Sequence, residues 1–258
     1  MAARPRIVFF SSGSPMSQAA LGAIGGDVVR VIGPDEMDET PDCDLICIAS
    51  FPRIVPRSIL SRASMGGLNV HGSVLPRHRG PDPLFWTFFD ADEEAGVTLH
   101  WIDEGVDSGD IVAQRRWPLP RGTRAPDLYM RQAAEGADML ASAIASLDAM
   151  PRMPQDAALA THDPSPNKRT WSIDYATWPA ARVWHFLHGM SPLRRDLLDV
   201  AYTPDFTLSD ARPTRTPGTI ETRGNTIAIH CIDGVVLGKR PPLRSRLRQW
   251  LTRTNSRR

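Results

Sequence analysis

The stretch Leu68-Asn69-Val70-His71-Gly72-Ser73-Val74-Leu75-Pro76 joins a short apolar run to a Gly-Ser-x-x-Pro turn. If residues 68–71 form a strand, the period-two alternation of strands puts Asn69 and His71 on the same face. The turn then places the pair at the carboxyl end of that strand, where open α/β sheets bind ligands. An amide donor beside an imidazole suits reactions that build negative charge on a carbonyl oxygen.

Strand-like and helix-like segments alternate around this stretch. Apolar runs at residues 6–10, 27–32, 44–49, 97–102 and 111–114 indicate strands, and residues 16–24, 56–63 and 125–147 indicate helices. This alternation predicts an α/β fold with a doubly wound, mostly parallel sheet, a variant of the Rossmann arrangement. The first turn, Ser-Ser-Gly-Ser-Pro, lacks the glycine pattern of nicotinamide-binding proteins.

The composition changes near residue 150 and divides the chain. Four prolines punctuate the polar segment 150–169, which we interpret as a linker. The catalytic domain is therefore predicted at residues 1–149. Residues 170–258 are predicted to form a small, β-rich C-terminal domain, with a helix over 174–190, strands near 218–220, 226–231 and 234–237, and a basic tail.

Length, charge and cysteine content exclude several protein classes. The chain has 258 residues and a net charge of +1, so no global bias toward nucleic acid or membrane is present. No apolar run is long enough for a transmembrane helix, and the first run is too short for a signal peptide. We therefore expect a cytoplasmic protein. Cys43, Cys47 and Cys231 form no disulfide framework and are predicted to be buried, reduced thiols.

Four acids, Asp103, Glu104, Asp107 and Asp110, lie within one turn between two predicted strands. Alone, this turn could be a solvated surface loop or a metal site, although the EF-hand spacing is absent. If it reaches Asn69 and His71, a carboxylate there would raise the pKa of the imidazole and fix its orientation.

The 68–80 stretch and the later Gly-Val-Thr-Leu-His-Trp-Ile-Asp-Glu-Gly-Val-Asp-Ser-Gly-Asp-Ile segment (96–111) resemble the folate-dependent formyltransferases. This family includes methionyl-tRNA formyltransferase and the amino-sugar N-formyltransferases. The resemblance implies a formyltransferase-like fold and a catalytic trio of Asn69, His71 and Asp107. It also implies 10-formyltetrahydrofolate as cosubstrate, and no metal.

The same resemblance implies binding residues. The segment Phe51, Pro52, Arg53, Ile54 and Val55 is similar to the one that holds the folate pterin, and Ile102, Asp103 and Glu104 would face it. Ser73, Arg77 and Trp86 are expected to contact the substrate. The charges that follow the catalytic strand could instead be solvated loop charges. His78 and His100 are expected to be structural.

Two regions depart from the family pattern and affect the choice of acceptor. Residues 33–42 contain five acids and no base, where tRNA-using relatives have a basic loop, so a tRNA acceptor is disfavoured. From Lys239 to Arg258 there are eight basic residues and no acids. Residues 243–251 of this tail could form an amphipathic helix that contacts an acidic partner, or one that packs its apolar stripe with solvated arginines.

The sequence therefore favours an N-formyltransferase that acts on a small primary amine, such as an amino sugar nucleotide or an amino acid derivative. Methionyl-tRNA formylation is the second hypothesis. A formyltetrahydrofolate hydrolase is third, and an inactive binding protein is last because the trio is intact.

Overall fold

The computed structural model describes residues 4–167, 170–194 and 205–239. By their internal contacts these residues divide into two compact units. The first comprises residues 4–87, 92–119 and 127–166, and the second comprises residues 88–91, 120–126 and the described residues from 167 onward. The predicted helix over 243–251 in the basic tail lies outside the described residues.

One six-stranded sheet organises the first unit. Its strands are β1 (Ile7–Ser11), β2 (Val28–Ile32), β3 (Leu45–Ala49), β4 (Gly67–His71), β5 (Glu94–Trp101) and β6 (Ile111–Pro118). Their order is β2-β1-β3-β4-β5-β6. The first four run parallel to one another, whereas β5 and β6 pair antiparallel. The predicted α/β class is confirmed, in a mixed sheet.

Buried apolar side chains explain why the central strands form. Every residue of β3 is buried, as expected of a parallel strand covered on both faces. Val8, Phe10, Ile32, Ile46 and Ile48 form one apolar cluster with their neighbours. The predicted strands at residues 97–102 and 111–114 are longer in the structure because β5 and β6 pair with each other from Glu94 to Pro118.

The helices of this part of the chain are α1 (Pro15–Ile24), α2 (Arg57–Leu60), α3 (Pro83–Phe89) and α4 (Ala125–Ala145). Ser14 caps α1, where its hydroxyl accepts a hydrogen bond from the Ser17 amide at 3.2 Å, and Pro15 begins the helix. α2 is shorter than the predicted helix over 56–63. The acidic segment forms a 3₁₀ helix, Pro34–Glu39.

The predicted linker is packed over most of its length. Residues 150–166 belong to the first unit, and Met153 pairs with Ile111 beside β6. The Arg79 amide donates to the Thr161 carbonyl at 3.0 Å, and the Asp163 amide donates to the Arg79 carbonyl at 2.8 Å. The prolines and polar residues led us to interpret this segment as a linker, and in the structure these main-chain hydrogen bonds hold it against the loop after β4.

The second unit contains helix α5 (Ala180–Met190) and a four-stranded antiparallel sheet. Its strands are β7 (Asp205–Ser209), β8 (Ile220–Arg223), β9 (Thr226–His230) and β10 (Val235–Lys239), in the order β7-β10-β9-β8. The predicted β-rich character is observed. α5 begins later than predicted because Asp174 instead caps a turn, accepting from the Ala176 and Thr177 amides at 3.0 and 3.2 Å. β7 was not predicted.

A buried histidine on α5 makes the stability of the second unit sensitive to acid. His185 stacks on Phe88 with ring centroids 5.0 Å apart, and its Nδ1 accepts from the Gly122 amide at 3.2 Å. Burial, with the charges of Arg121 and His188, lowers the pKa of His185 to about 4 from 6.5. The unfolded chain thus binds the extra proton between these values, so the free energy of unfolding falls as the pH falls through that window.

Replacement of His185 by asparagine is expected to reduce this acid sensitivity, because an amide oxygen can still accept from Gly122 but does not titrate. Thermal unfolding of the variant should lose less Tm between pH 6.5 and 4 than the unchanged chain. His162→Asn, at an exposed histidine, is the matched control. Equal losses in all three proteins would contradict the assignment.

Two further findings concern the whole described chain. Cys43, Cys47 and Cys231 are free and buried, as predicted. Across the described residues, no helix has the length and apolar character needed to cross a membrane.

Candidate active site

The strand β4 lies where the sheet changes from parallel to antiparallel pairing. It pairs parallel with β3 and antiparallel with β5, in a register that puts Asn69 opposite His100 and His71 opposite Thr98. Asn69 and His71 are two residues apart and therefore share one face, as the sequence predicted. The loop that follows residue 71 is anchored by Gln132, whose amide donates to the Gly72 carbonyl at 2.7 Å.

Asp107 lies close to both Asn69 and His71. Asn69 Nδ2 donates to Asp107 Oδ1 at 3.2 Å, and Asp107 Oδ2 is 3.6 Å from His71 Nδ1. The side chains of His71 and Asp107 are only 6% and 14% exposed. The structure thus brings together the three residues that the sequence predicted as a trio.

The turn that carries Asp107 is held in place by Gln155. Asp107 has a left-handed backbone conformation with φ of +51°, which is uncommon for a residue other than glycine. Gln155 Nε2 donates to the carbonyls of Asp107 and Gly109 at 2.9 and 2.7 Å. In turn, Arg79 donates to Gln155 Oε1 from Nε and Nη2 at 3.1 and 2.8 Å. The side chain of Gln155 therefore orients the Asp107 carboxylate by holding the main chain of the turn.

The hydrogen bonds of His71 define which ring nitrogen faces Asp107. Nε2 donates to the His78 carbonyl at 2.8 Å, so Nδ1 is the nitrogen turned toward Asp107 Oδ2. Burial lowers the pKa of His71 and outweighs the opposing charge of Asp107. Asp107 does raise the pKa of His71, as expected of a nearby carboxylate, but burial has the larger effect and the net shift is downward. A neutral imidazole with a free Nδ1 lone pair results.

Asp107 remains ionised despite its burial. Burial alone would raise the pKa of Asp107, but its interactions with the His71 and His100 rings and the hydrogen bond from the Gly80 amide together hold that pKa far below the ordinary value. The Gly80 amide donates to Oδ2 at 2.9 Å. The amide donors Gly80 and Asn69 both stabilise the charged form of this carboxylate.

His100 is a neighbour of the trio that the sequence did not reveal. Its Nδ1 donates to the Trp101 carbonyl at 2.7 Å, which leaves Nε2 to accept from Asn69 Nδ2 at 3.1 Å. Asp107 Oδ1 lies 3.5 Å from the same Nε2. His100 was predicted to be structural. The strand register, which pairs Asn69 with His100, is the signal that would have found it.

Three of the residues predicted to bind the pterin share one apolar surface. Phe51, Val55 and Ile102 pack against the cluster that contains Phe10 and Ile46. The ring centroids of Phe51 and Phe10 are 5.1 Å apart. Pro52, Arg53 and Ile54 are exposed. Within the described chain, no main-chain hydrogen bond involves residues 52–55. The carbonyls of residues 52–55 and the amides of residues 53–55 thus remain available beside these apolar side chains.

The other predicted cofactor contacts are engaged in the turn itself. Asp103 accepts from the Gly105 amide at 3.1 Å and from the Ser108 hydroxyl at 2.8 Å. Glu104 pairs with Arg57 at 2.6 Å on the surface. Both carboxylates are therefore already engaged, Asp103 within the turn and Glu104 by Arg57.

The predicted substrate contacts occupy different environments. Ser73 is buried, and its hydroxyl donates to the Arg77 carbonyl at 2.7 Å, so it stabilises the loop instead of offering a hydroxyl to a ligand. Trp86 is also buried, and its indole N–H donates to the Pro164 carbonyl at 2.9 Å. Arg77 is half-exposed and donates to Asp92 at 2.6 Å. Of the three, Arg77 is the most accessible.

The strand β4 ends with an amide and a neutral imidazole, and the turn after β5 adds a buried carboxylate. A protein with these three groups together is suited to chemistry at a carbonyl carbon. Residues 35–144 match the family model described as formyl transferase. Residues 35–144 thus carry a formyl transferase domain, and the predicted resemblance to this family is confirmed.

Similar proteins agree with this placement. A methionyl-tRNA formyltransferase of Syntrophus aciditrophicus is 36% identical over 155 residues, covering 58% of this chain and 48% of the relative. A methionyl-tRNA formyltransferase of Anaeromyxobacter dehalogenans is 35% identical over 205 residues, covering 75% of this chain and 65% of the relative. The chain thus spans about half the length of the first of these curated relatives.

A solved structure shows how widely the fold is shared. WlaRD, described as a sugar 3N-formyl transferase in the presence of dTDP and 5-N-formyl-THF, superposes with a TM-score of 0.70 at 17% identity. The match covers 93% of this chain and 98% of that one. At this identity the likeness concerns the fold.

Proposed function

We propose that this chain transfers a formyl group from 10-formyltetrahydrofolate to the primary amine of a small molecule. The observation that carries the proposal is the arrangement around Asp107. One carboxylate oxygen accepts from Asn69, and the other lies 3.6 Å from Nδ1 of a neutral His71. The site thus combines a base, His71, with a carboxylate that can stabilise the protonated base, Asp107. It also holds an amide donor, Asn69.

The reaction requires one carbon–nitrogen bond to form and one to break. The amine nitrogen bonds to the formyl carbon, the bond from that carbon to the folate nitrogen breaks, and one proton moves from the amine to the folate nitrogen. In our proposal His71 Nδ1 takes the proton from the attacking amine and then delivers it to the departing nitrogen. Asp107 stabilises the imidazolium between these steps, because a carboxylate that remains ionised favours the charged ring.

Asn69 is proposed to stabilise the negative charge that develops on the formyl oxygen. In the structure its Nδ2 group donates to Asp107 Oδ1 and to His100 Nε2, at 3.2 and 3.1 Å. One of these hydrogen bonds must be exchanged for the oxyanion when substrate binds. His100 has its other nitrogen fixed on the Trp101 carbonyl, so it can hold the amide orientation before that exchange.

The proposed folate site uses the exposed main chain of residues 52–55 and the main chain of the 103–107 turn. A pterin ring presents a flat apolar face and an amide-like edge of donors and acceptors. Phe51, Val55 and Ile102 supply an apolar surface, and the carbonyls of residues 52–55 with the amides of residues 53–55 supply the polar partners. These features fit such a ring without a metal ion.

The acidic 3₁₀ helix supports a small acceptor over tRNA. Asp35, Asp38 and Glu39 are exposed on Pro34–Glu39, and Arg53 and Arg62 donate to main-chain carbonyls of this segment. Exposed carboxylates repel phosphates and cannot add to the counterion release that drives tRNA binding. Methionyl-tRNA is the second candidate acceptor, favoured by the names of the relatives.

The test is to incubate the full chain with 10-formyltetrahydrofolate and separate acceptors: amino sugar nucleotides, ornithine and methionyl-tRNA. We expect a formylated small amine and an equal amount of tetrahydrofolate. Formylation of methionyl-tRNA alone would select the second candidate. Folate release without an acceptor would indicate a hydrolase, and absence of both product and folate binding would contradict formyl transfer altogether.

A further inference from the structure

The loop after β4 contains a buried histidine that the proposed chemistry does not use. His78 is 2% exposed and has a left-handed backbone with φ of +59°. Such a conformation is unfavourable for a residue with a side chain and persists only where surrounding contacts impose it. The carbonyl oxygen of this residue accepts the Nε2–H of His71 at 2.8 Å, so the conformation of His78 bears directly on the proposed base.

Two carboxylates hold the His78 ring from opposite sides. Nδ1 lies 2.6 Å from Asp163 Oδ2, and Nε2 lies 2.8 Å from Asp92 Oδ2. An ionised carboxylate can only accept, so both ring nitrogens must donate and the ring carries a positive charge. The main-chain amide of His78 also donates to Thr161 Oγ1 at 2.7 Å. Asp163 and Thr161 both belong to the packed segment 150–166.

The charges around His78 favour this protonated form. Burial would lower the pKa of His78, but the hydrogen bonds and charges of Asp92 and Asp163 outweigh it and raise the pKa. Arg77 opposes them, because its Nη2 lies 3.5 Å from Nε2, but it also donates to Asp92 Oδ1 at 2.6 Å. His71 is the other titratable group beside this ring, and the charge of His78 helps to lower the pKa of His71.

We propose that His78 is a positioning residue of the transfer reaction: its imidazolium, held between Asp92 and Asp163, fixes its own carbonyl against His71 Nε2. That carbonyl keeps the His71 proton on Nε2 and leaves Nδ1 as the base facing Asp107. The expected effect on kcat rests on the proposed function, whereas the expected effect on the His71 tautomer does not. Loss of the clamp would let the loop relax, and His71 would populate both tautomers.

The test uses the full chain labelled with ¹⁵N-histidine. Long-range ¹H–¹⁵N spectra report the tautomer of each of the seven imidazoles without any substrate. We expect His71 as a single Nε2–H tautomer and His78 doubly protonated. In His78→Asn, which tolerates the left-handed backbone but cannot bridge both carboxylates, His71 should show a mixture of tautomers. Asp163→Asn should give a smaller change in the same direction.

Kinetics provide the second measurement. With any acceptor that is formylated, His78→Asn should lower kcat by about 10- to 100-fold through misplacement of the base, with the KM for 10-formyltetrahydrofolate unchanged. In the unchanged chain, kcat should fall as the pH rises through the raised pKa of His78, because one carboxylate bond is then lost. The variant should lack that alkaline decline.

His230→Asn is the matched control, since His230 is also buried and paired with a carboxylate, Glu221, at 3.5 Å. It should leave the His71 tautomer and kcat unchanged. A single Nε2–H tautomer of His71 in both His78→Asn and Asp163→Asn would overturn the inference. So would a loss of kcat with unaltered His71 signals. Because the spectra need no substrate, failure of formyl transfer would not be confused with failure of the positioning role.

Discussion

Asp107→Asn is expected to lower kcat by about 100- to 10 000-fold, the range over which a positioned acid or base contributes to catalysis. The asparagine keeps the shape of the side chain but removes the negative charge that lies 3.6 Å from His71 Nδ1. The imidazolium formed by proton transfer then has no counter-charge in a buried site, where an unpaired charge is costly. Steady-state kinetics with the identified acceptor would measure the loss.

The control for this substitution is Asp110→Asn, three residues further along the same turn. Among the residues that the structure describes, Asp110 makes its hydrogen bond through the main-chain carbonyl, which accepts from the Trp101 amide at 2.9 Å, so its side-chain charge should be dispensable. Both variants should show the same circular dichroism and folate affinity as the unchanged chain. Near-normal kcat in Asp107→Asn would remove the carboxylate from the mechanism.

Asn69→Ala is expected to lower kcat by about 100- to 1000-fold, the cost of deleting one oxyanion donor at an acyl-transfer site. The KM for 10-formyltetrahydrofolate should change little, because the donor acts mainly on charge that develops in the transition state. The alanine also frees His100 Nε2 and Asp107 Oδ1 from their shared partner. The kinetic split between kcat and KM is the decisive measurement.

A second substitution separates the oxyanion role of Asn69 from its structural contacts. His100→Asn removes the imidazole that accepts from Asn69 but keeps Asn69 itself, so it should reduce kcat less than Asn69→Ala. If His100→Asn proved as damaging, the amide would matter for its orientation of neighbours and not for the formyl oxygen. If Asn69→Ala retained near-normal kcat, the donor role would be wrong.

The sequence was sufficient for the parts of the site that follow from local periodicity. Alternation along β4 placed Asn69 and His71 on one face, and the turn residues placed that face at the strand end. Asp107 could be added only through the resemblance of its turn to a known family. Without that resemblance, the acidic turn is interpreted first as a solvated surface loop, with a metal site as the alternative.

Properties that depend on contacts far apart in sequence were not predictable. The direction of the His71 pKa shift depends on how deeply the ring is buried. The residues next to His71 in the sequence do not determine that burial. Gln155 lies in a segment whose prolines suggested a linker, yet it holds the carbonyl of Asp107. His100 needed the register of β4 against β5 before it could be placed.

The packed segment 150–166 sets the size of the smallest piece of this chain that could carry the site. Ending the chain after α4 would retain all six strands and the trio, yet it would delete Gln155 beneath Asp107 and Asp163 beside His78. The trio would then remain without the hydrogen bonds that orient Asp107 directly and His71 through His78. Any transplant of this site into another scaffold must therefore take residues beyond the last strand and helix of the sheet.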